Sequence, residues 1–249
     1  MSGSFSLPLP AEETLRFLER ALPPAPALLL EVGCGDGTIA AALAERGYAV
    51  TALDESLAVT VSSAAAPVTW VESNFLFYDG AADGKPFDAV LFTRSLHHVA
   101  PLDRALDRAA ALLRPGGRLL AEEFAFDRVT LPTARWWYDL ESILVAAGIL
   151  TPPDPALAAV RNPLGRWRQE HAHDPPLASG HDMLAAVRER FETGPAQEAP
   201  YLYRYAHERA VRGEAAERAV RQIFEVESRL VRERDIAAAG LRIVATLAG

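Results

Sequence analysis

Glu31 stands two residues before the first of three alternating glycines, Gly33, Gly35 and Gly37. Leu28, Leu29, Leu30 and Val32 around it form the short apolar run of a buried strand. Beyond the glycines, Ile39 to Arg46 is patterned as a helix, closed by Gly47. A strand, a glycine turn and a helix start bring backbone N–H groups and the positive end of a helix dipole to one point. Glycines there let the chain turn tightly and let a ligand approach the backbone. The chemistry is therefore binding. The spacing is G-x-G-x-G: Thr38 occupies the place where a dinucleotide fingerprint needs its third glycine, and no Gly-Lys-Ser/Thr follows. A carboxylate at Glu31 repels a pyrophosphate and suits a ligand that carries an ammonium group.

Asp54 closes the next apolar run, Tyr48 to Leu53. An acid about 20 residues beyond the glycines is placed to hold a ribose diol, two carboxylate oxygens matching two hydroxyl donors. An Asp there also serves to cap the chain from Ser56 onward, and the two uses are compatible. Candidates for proton transfer are His97 and His98, which follow the apolar run Phe87 to Phe92, and His171, His173 and His181 further on. His98 is the first choice as base and His97 the second; either serves as well as a hydrogen-bonded residue that orients its loop. If the pair is extended, the two side chains point opposite ways. The spacing of His171, His173 and His181 is too loose to indicate a metal, and none is expected. Cys34 is the single cysteine, so no intrachain disulfide or cysteine zinc site is expected.

Glu31-Val-Gly-Cys-Gly-Asp-Gly37 closely resembles motif I of the class I S-adenosylmethionine-dependent methyltransferases. Phe87-Asp, Leu96-His-His and Leu113-Arg-Pro-Gly-Gly-Arg-Leu resemble their motifs IV to VI, with a type 11-like core. The resemblance runs from about Leu28 to Phe124 and takes in the closing strands. It implies S-adenosylmethionine as cofactor, held by Glu31, Gly33, Gly35, Gly37, Asp54, Glu55, Asn74, Phe75 and Thr93. It implies an adenine contact at Asn74, where the family commonly has Asp, with the next backbone N–H on a ring nitrogen. It also implies that the helix before the glycine loop closes over the cofactor.

The elements that must position these residues follow from pattern. A helix is expected over Ala11 to Leu22, a short helix over Ala58 to Ala66, and strands over Val68 to Val71, Phe87 to Phe92 and Arg118 to Phe124, with a helix over Pro101 to Leu113 before the last of these. The expected fold is α/β: a Rossmann-like, seven-stranded, mostly parallel sheet with helices on both faces, an antiparallel last strand and a helical cap inserted after strand five. Residues 1–126 form the binding core. The cap, 127–180, is too long for a plain connection and carries Trp136, Trp137 and Tyr138. Residues 181–249 return to the core through the helix His181 to Arg190, a sixth strand Tyr201 to Tyr205 with three tyrosines on one face, a long helix Ala206 to Ala239 and a seventh strand Leu241 to Ala248.

The 249 residues, half of them apolar, are enough for one large α/β domain or a core with an insertion. A net charge of −8 argues against a nucleic-acid partner, and no apolar run approaches membrane-spanning length. No signal peptide is visible, and a cytoplasmic protein is the default; a homodimer is allowed. The expected activity is methyl transfer to an O or N atom of a small molecule, the alternatives being a carboxyl- or C-methyltransferase and a cofactor-binding protein without transfer. Arg94, Trp136, Trp137, Tyr138, His171 and Tyr201 are the candidate acceptor residues. Arg135, Arg161, Arg166 and Arg168 hint at an anionic group on the acceptor.

Overall fold

The computed structural model describes residues 7–58, 67–80, 84–173 and 176–249. The short helix expected over Ala58 to Ala66 falls almost wholly outside them. The chain divides into two compact units. The first holds residues 1–123, 181–196 and 242–249; the second holds 124–180 and 197–241.

In the first unit, β1 (Leu28–Val32), β2 (Ala49–Asp54), β3 (Val68–Glu72) and β4 (Phe87–Thr93) are parallel neighbours in the order β3-β2-β1-β4. β1 pairs residue for residue with β2, from Leu28 opposite Ala49 to Val32 opposite Leu53. Continuous apolar runs mark strands covered on both faces: Leu29, Leu30, Ala52, Ala89, Val90 and Leu91 are all fully buried. β5 (Leu113–Phe124) adds on in parallel beside β4. β8 (Gly240–Thr246) follows, paired antiparallel with β6 (Glu192–Thr193). β7 (Gln197–Ala199) also pairs β8, so among the described residues the sheet has eight strands where seven were expected.

Helices α1 (Leu9–Ala21), α2 (Thr38–Glu45), α3 (Leu102–Leu112) and α7 (Gly180–Arg190) accompany this sheet. Glu122, buried near the end of β5, ties three of these elements together. Its Oε2 accepts from Thr14 Oγ1 of α1 at 2.5 Å, and its Oε1 accepts from Arg242 Nε of β8 at 2.8 Å.

The second unit is mostly helical: α4 (Leu131–Ala146), α5 (Pro155–Ala158), α6 (Pro163–Glu170), α8 (Leu202–Arg209) and α9 (Glu214–Glu233). It takes in residues 197–241 as well as the stretch after strand five.

Two expectations are corrected here. The strand expected over Tyr201 to Tyr205 is the start of α8. In helical geometry Tyr201 and Tyr205 share a face, while Tyr203 turns to Phe224, with ring centroids 4.9 Å apart. The cause is a tertiary cap: the buried Glu227 carboxylate on α9 accepts from the N–H groups of Tyr201, Leu202 and Tyr203 at 2.6, 2.9 and 2.9 Å. The single long helix expected over Ala206 to Ala239 is divided. It breaks at Ala210, which bridges Leu150, and restarts after Gly213. Among the described residues no helix is long and apolar enough to cross a membrane.

Candidate functional site

The glycine turn is held by the strands beside it. The Leu53 carbonyl accepts from the N–H groups of Gly33 and Cys34 at 2.7 and 3.1 Å. Gly33 has a positive φ of 71°, and a Cβ on it would lie 2.5 Å from the Ser95 Cβ. Only glycine combines that conformation with that approach. Ser95 in turn donates from Oγ to the Val32 carbonyl at 2.5 Å. The turn after β4 is thus locked onto the end of β1.

Glu31 is fully buried. Its Oε1 accepts from Thr93 Oγ1 at 2.8 Å, while its Oε2 has no hydrogen-bond partner among the described residues. Burial pushes the Glu31 carboxyl up to about 7, against the pull of the Thr93 hydroxyl and the Arg94 charge. A buried carboxyl with an unsatisfied oxygen at a glycine turn fits a cationic group on a ligand. Burial likewise pushes the Cys34 thiol up to about 12, which keeps it from acting as a nucleophile.

Asp54 ends β2 with both oxygens engaged by backbone. Oδ2 accepts from Gly35 N at 2.9 Å, and Oδ1 accepts from Ser56 N at 3.2 Å. Asn74 follows β3. Its Oδ1 accepts from Leu76 N at 2.8 Å, which starts the 3-10 turn Phe75–Phe77, and its side-chain amide donates to Glu55. Phe75 is buried edge-on against Phe92, 5.5 Å between centroids. Gly37, in the left-handed region, begins α2. Glu31, the glycines, Asp54, Glu55, Asn74, Phe75 and Thr93 therefore gather at the carboxyl ends of β1 to β4. Ligands of open α/β sheets bind there.

His97 and His98 form a 3-10 turn with Leu96, so the pair is not extended, and their ring centroids lie 4.1 Å apart. His97 is buried and His98 exposed. His97 Nδ1 is 2.5 Å from Oε2 of Glu123, whose Oε1 accepts from Ser95 N at 3.0 Å and Leu96 N at 2.8 Å. Glu123 is completely buried. Sequence reasoning passed over it because it lies inside an apolar strand, yet two carboxylates in succession, Glu122 and Glu123, at the end of a buried run were a usable signal. Arg94, next to Thr93, is exposed with a positive φ of 69°.

The second unit has an aromatic cluster of its own around Phe124, the last residue of β5. Tyr201 stacks on Phe124 at 4.6 Å, and Trp167 meets it edge-on at 5.9 Å. His171 Nδ1 is 2.7 Å from the Trp167 carbonyl, and its Nε2 is 2.9 Å from the Tyr205 hydroxyl. A carbonyl only accepts, so Nδ1 carries the proton, and Tyr205 donates to Nε2. Burial pushes the His171 imidazole down and the Tyr205 phenol up, which keeps both neutral.

Trp137 is buried near Tyr205, 6.1 Å between centroids, and Trp136 is half-buried. The Tyr138 hydroxyl donates to Glu170 at 2.5 Å under the guanidinium of Arg166. Arg166 is itself bound to Glu141 at 2.7 Å and to Glu170 at 2.8 Å, so the hint that it awaits an anionic acceptor is withdrawn. Arg135, Arg161 and Arg168 are exposed, as are His173 and His181. Among the described residues no group of three or more His, Cys, Asp or Glu could hold a metal ion.

A family model described as a methyltransferase domain matches residues 8–147. An uncharacterised methyltransferase of Mycobacterium bovis is 36% identical over 111 residues, 43% of this chain and 55% of its own length. A ubiquinone biosynthesis O-methyltransferase of Xylella fastidiosa is 34% identical over 110 residues, 42% of this chain and 45% of its own. The chain spans about half the length of these curated relatives. The solved S-adenosylmethionine-dependent methyltransferase of Mesorhizobium loti shares the fold, with a TM-score of 0.56 at 17% identity over 95% of this chain and 97% of that one. With a family model over more than half its length and the family's glycine turn in place, the chain belongs to the methyltransferase-domain family of class I S-adenosylmethionine-dependent methyltransferases.

Proposed function

We propose that this chain moves the methyl group of S-adenosylmethionine to an oxygen or nitrogen atom of a small molecule. The observation that carries the reading is the buried Glu31 carboxyl beside the glycine turn, one oxygen tied to Thr93 and the other without a hydrogen-bond partner among the described residues. When bound, the cofactor supplies a methyl on a sulfonium whose positive charge already activates the leaving group.

The chain's own residues hold and orient. Glu31 Oε2 would take the ammonium of the cofactor. Asp54 and Asn74 each spend lone pairs on backbone N–H groups and keep others, for ribose hydroxyls and the adenine amine respectively. The Phe75 N–H and Glu55 lie beside Asn74 in sequence and contact. Positioning then supplies much of the rate. Where the acceptor bears a proton at attack, His98, exposed on the turn that Glu123 fixes, takes it and passes it to solvent. His97, bound at Nδ1, supports that turn.

Arg94, Trp136, Trp137, Tyr138, His171 and Tyr201 are the proposed acceptor residues. Of these, Trp137, His171 and Tyr201 share the aromatic cluster around Phe124 and Tyr205. The Xylella relative's name favours oxygen as the accepting atom. Isothermal titration with S-adenosylmethionine tests the reading. Binding near micromolar affinity, about −8 kcal/mol, is expected; tight binding of NAD with none of S-adenosylmethionine would overturn it.

A further inference from the structure

Glu31 is a titrating group placed where the proposed cofactor would bring its ammonium. The carboxyl lies at the end of β1 with 1% of its surface exposed. Several groups bear on it. From β4 come the Thr93 hydroxyl and, one residue on, the Arg94 charge; from the glycine turn, Asp36; from α2, the Ala40 N–H. Cys34, also in the turn, feels both Glu31 and Asp54. Thr93, Arg94 and Ala40 favour the charged carboxylate, while burial and Asp36 favour the neutral acid, and burial is the largest influence. Below about 7 the neutral acid prevails, because burial outweighs these hydrogen bonds and Oε2 has no hydrogen-bond partner among the described residues. A ligand ammonium would be that partner.

We infer that cofactor binding expels a proton from Glu31, so that the site is proton-coupled and recognises the cation on its ligand by exchanging one positive charge for another. The inference rests on the proposed cofactor reading. With the free carboxyl at about 7, linkage gives a proton release of about 0.9 per ligand at pH 6. Affinity rises with pH and is about thirtyfold weaker at pH 5.5 than on the plateau above neutrality. Sign and direction follow from the ligand favouring the charged form.

The experiment is titration calorimetry of the full chain with S-adenosylhomocysteine, which carries the ammonium but no sulfonium, from pH 5.5 to 7.5 in pairs of buffers of different ionisation heat. 5′-Methylthioadenosine, which lacks the amino-acid part, is the control. Expected results are nearly one proton released with S-adenosylhomocysteine at pH 6, none with 5′-methylthioadenosine, and none with S-adenosylhomocysteine on Glu31→Gln. Thr93→Val removes a hydrogen bond that favours the charge, and should move the pH midpoint upward whether or not Glu31→Gln folds. Binding of S-adenosylhomocysteine without proton release and with pH-independent affinity overturns the inference and leaves the cofactor reading standing. Equal release by wild type and Glu31→Gln also overturns it. No binding of S-adenosylhomocysteine at any pH overturns both.

Discussion

His97 Nδ1 lies 2.5 Å from Oε2 of Glu123, and the other oxygen of that carboxylate holds the N–H groups of Ser95 and Leu96. One buried side chain thus sets both the path of the turn after β4 and the orientation of the first histidine in it. The second histidine, His98, is left at the surface of the same turn. The two histidines therefore differ in what their removal should do.

His98→Ala should lower turnover by about 100-fold or more with a proton-bearing acceptor, with cofactor affinity nearly unchanged. His97→Ala leaves the Glu123 carboxylate buried without its partner and should cost about 3 kcal/mol of folding stability. Turnover assays and urea unfolding on the two variants separate the roles. Wild-type turnover in His98→Ala would move the search for a base to His171, and then to His173 and His181.

Asp54→Ala removes an acceptor from Gly35 N and from Ser56 N as well as the proposed ribose contact. Cofactor affinity should fall by about 1–3 kcal/mol. Calorimetry with S-adenosylmethionine measures it, and unchanged affinity would remove Asp54 from the site.

Glu31 also shapes stability against pH. Its folded-state value of about 7 lies above the ordinary 4.5, so the native state binds a proton that the unfolded chain has released. Its contribution is most favourable below pH 4.5 and is lost as pH rises toward and through 7, by about 3 kcal/mol in all. Glu31→Gln should therefore gain on wild type as pH rises from 5 to 7.5 in urea unfolding. A constant difference between the two proteins across that range would contradict the assignment.

The His171–Tyr205 pair predicts a spectrum. Nitrogen-15 shifts of His171 at neutral pH should show the neutral ring with its proton on Nδ1, since the Trp167 carbonyl can only accept. Tyr205→Phe should move the Nε2 resonance and leave Nδ1 bonded. A proton found on Nε2 at neutral pH would refute this pairing.

Glu227→Ala deprives the start of α8 of acceptors for three N–H groups. A loss of about 3 kcal/mol is expected from leaving buried donors unsatisfied. Thermal unfolding followed by circular dichroism reports it, and a loss under 1 kcal/mol would mean that water replaces the carboxylate.

The binding half of the fold was readable in the sequence because its determinants are local. A run such as Leu28 to Val32 can only be a covered strand, and Gly33, Gly35 and Gly37 announce a turn whose conformations other residues resist. The same locality placed Glu31, Asp54 and Asn74 at strand ends. Tertiary structure alone decided what those side chains touch. That Thr93 binds one oxygen of Glu31 depends on β4 lying beside β1, 62 positions away in sequence for the bonded pair. The alternating tyrosines at 201, 203 and 205 spell a strand by period, yet a carboxylate 26 positions away from Tyr201 caps them into a helix. The order of His98 before His97 as base came from the sequence, but only the buried Glu123 carboxylate beside His97 shows what sets the two apart. Periodicity and turn chemistry act over a few residues, whereas hydrogen bonds to buried carboxylates are fixed by whichever strands and helices the whole chain brings together.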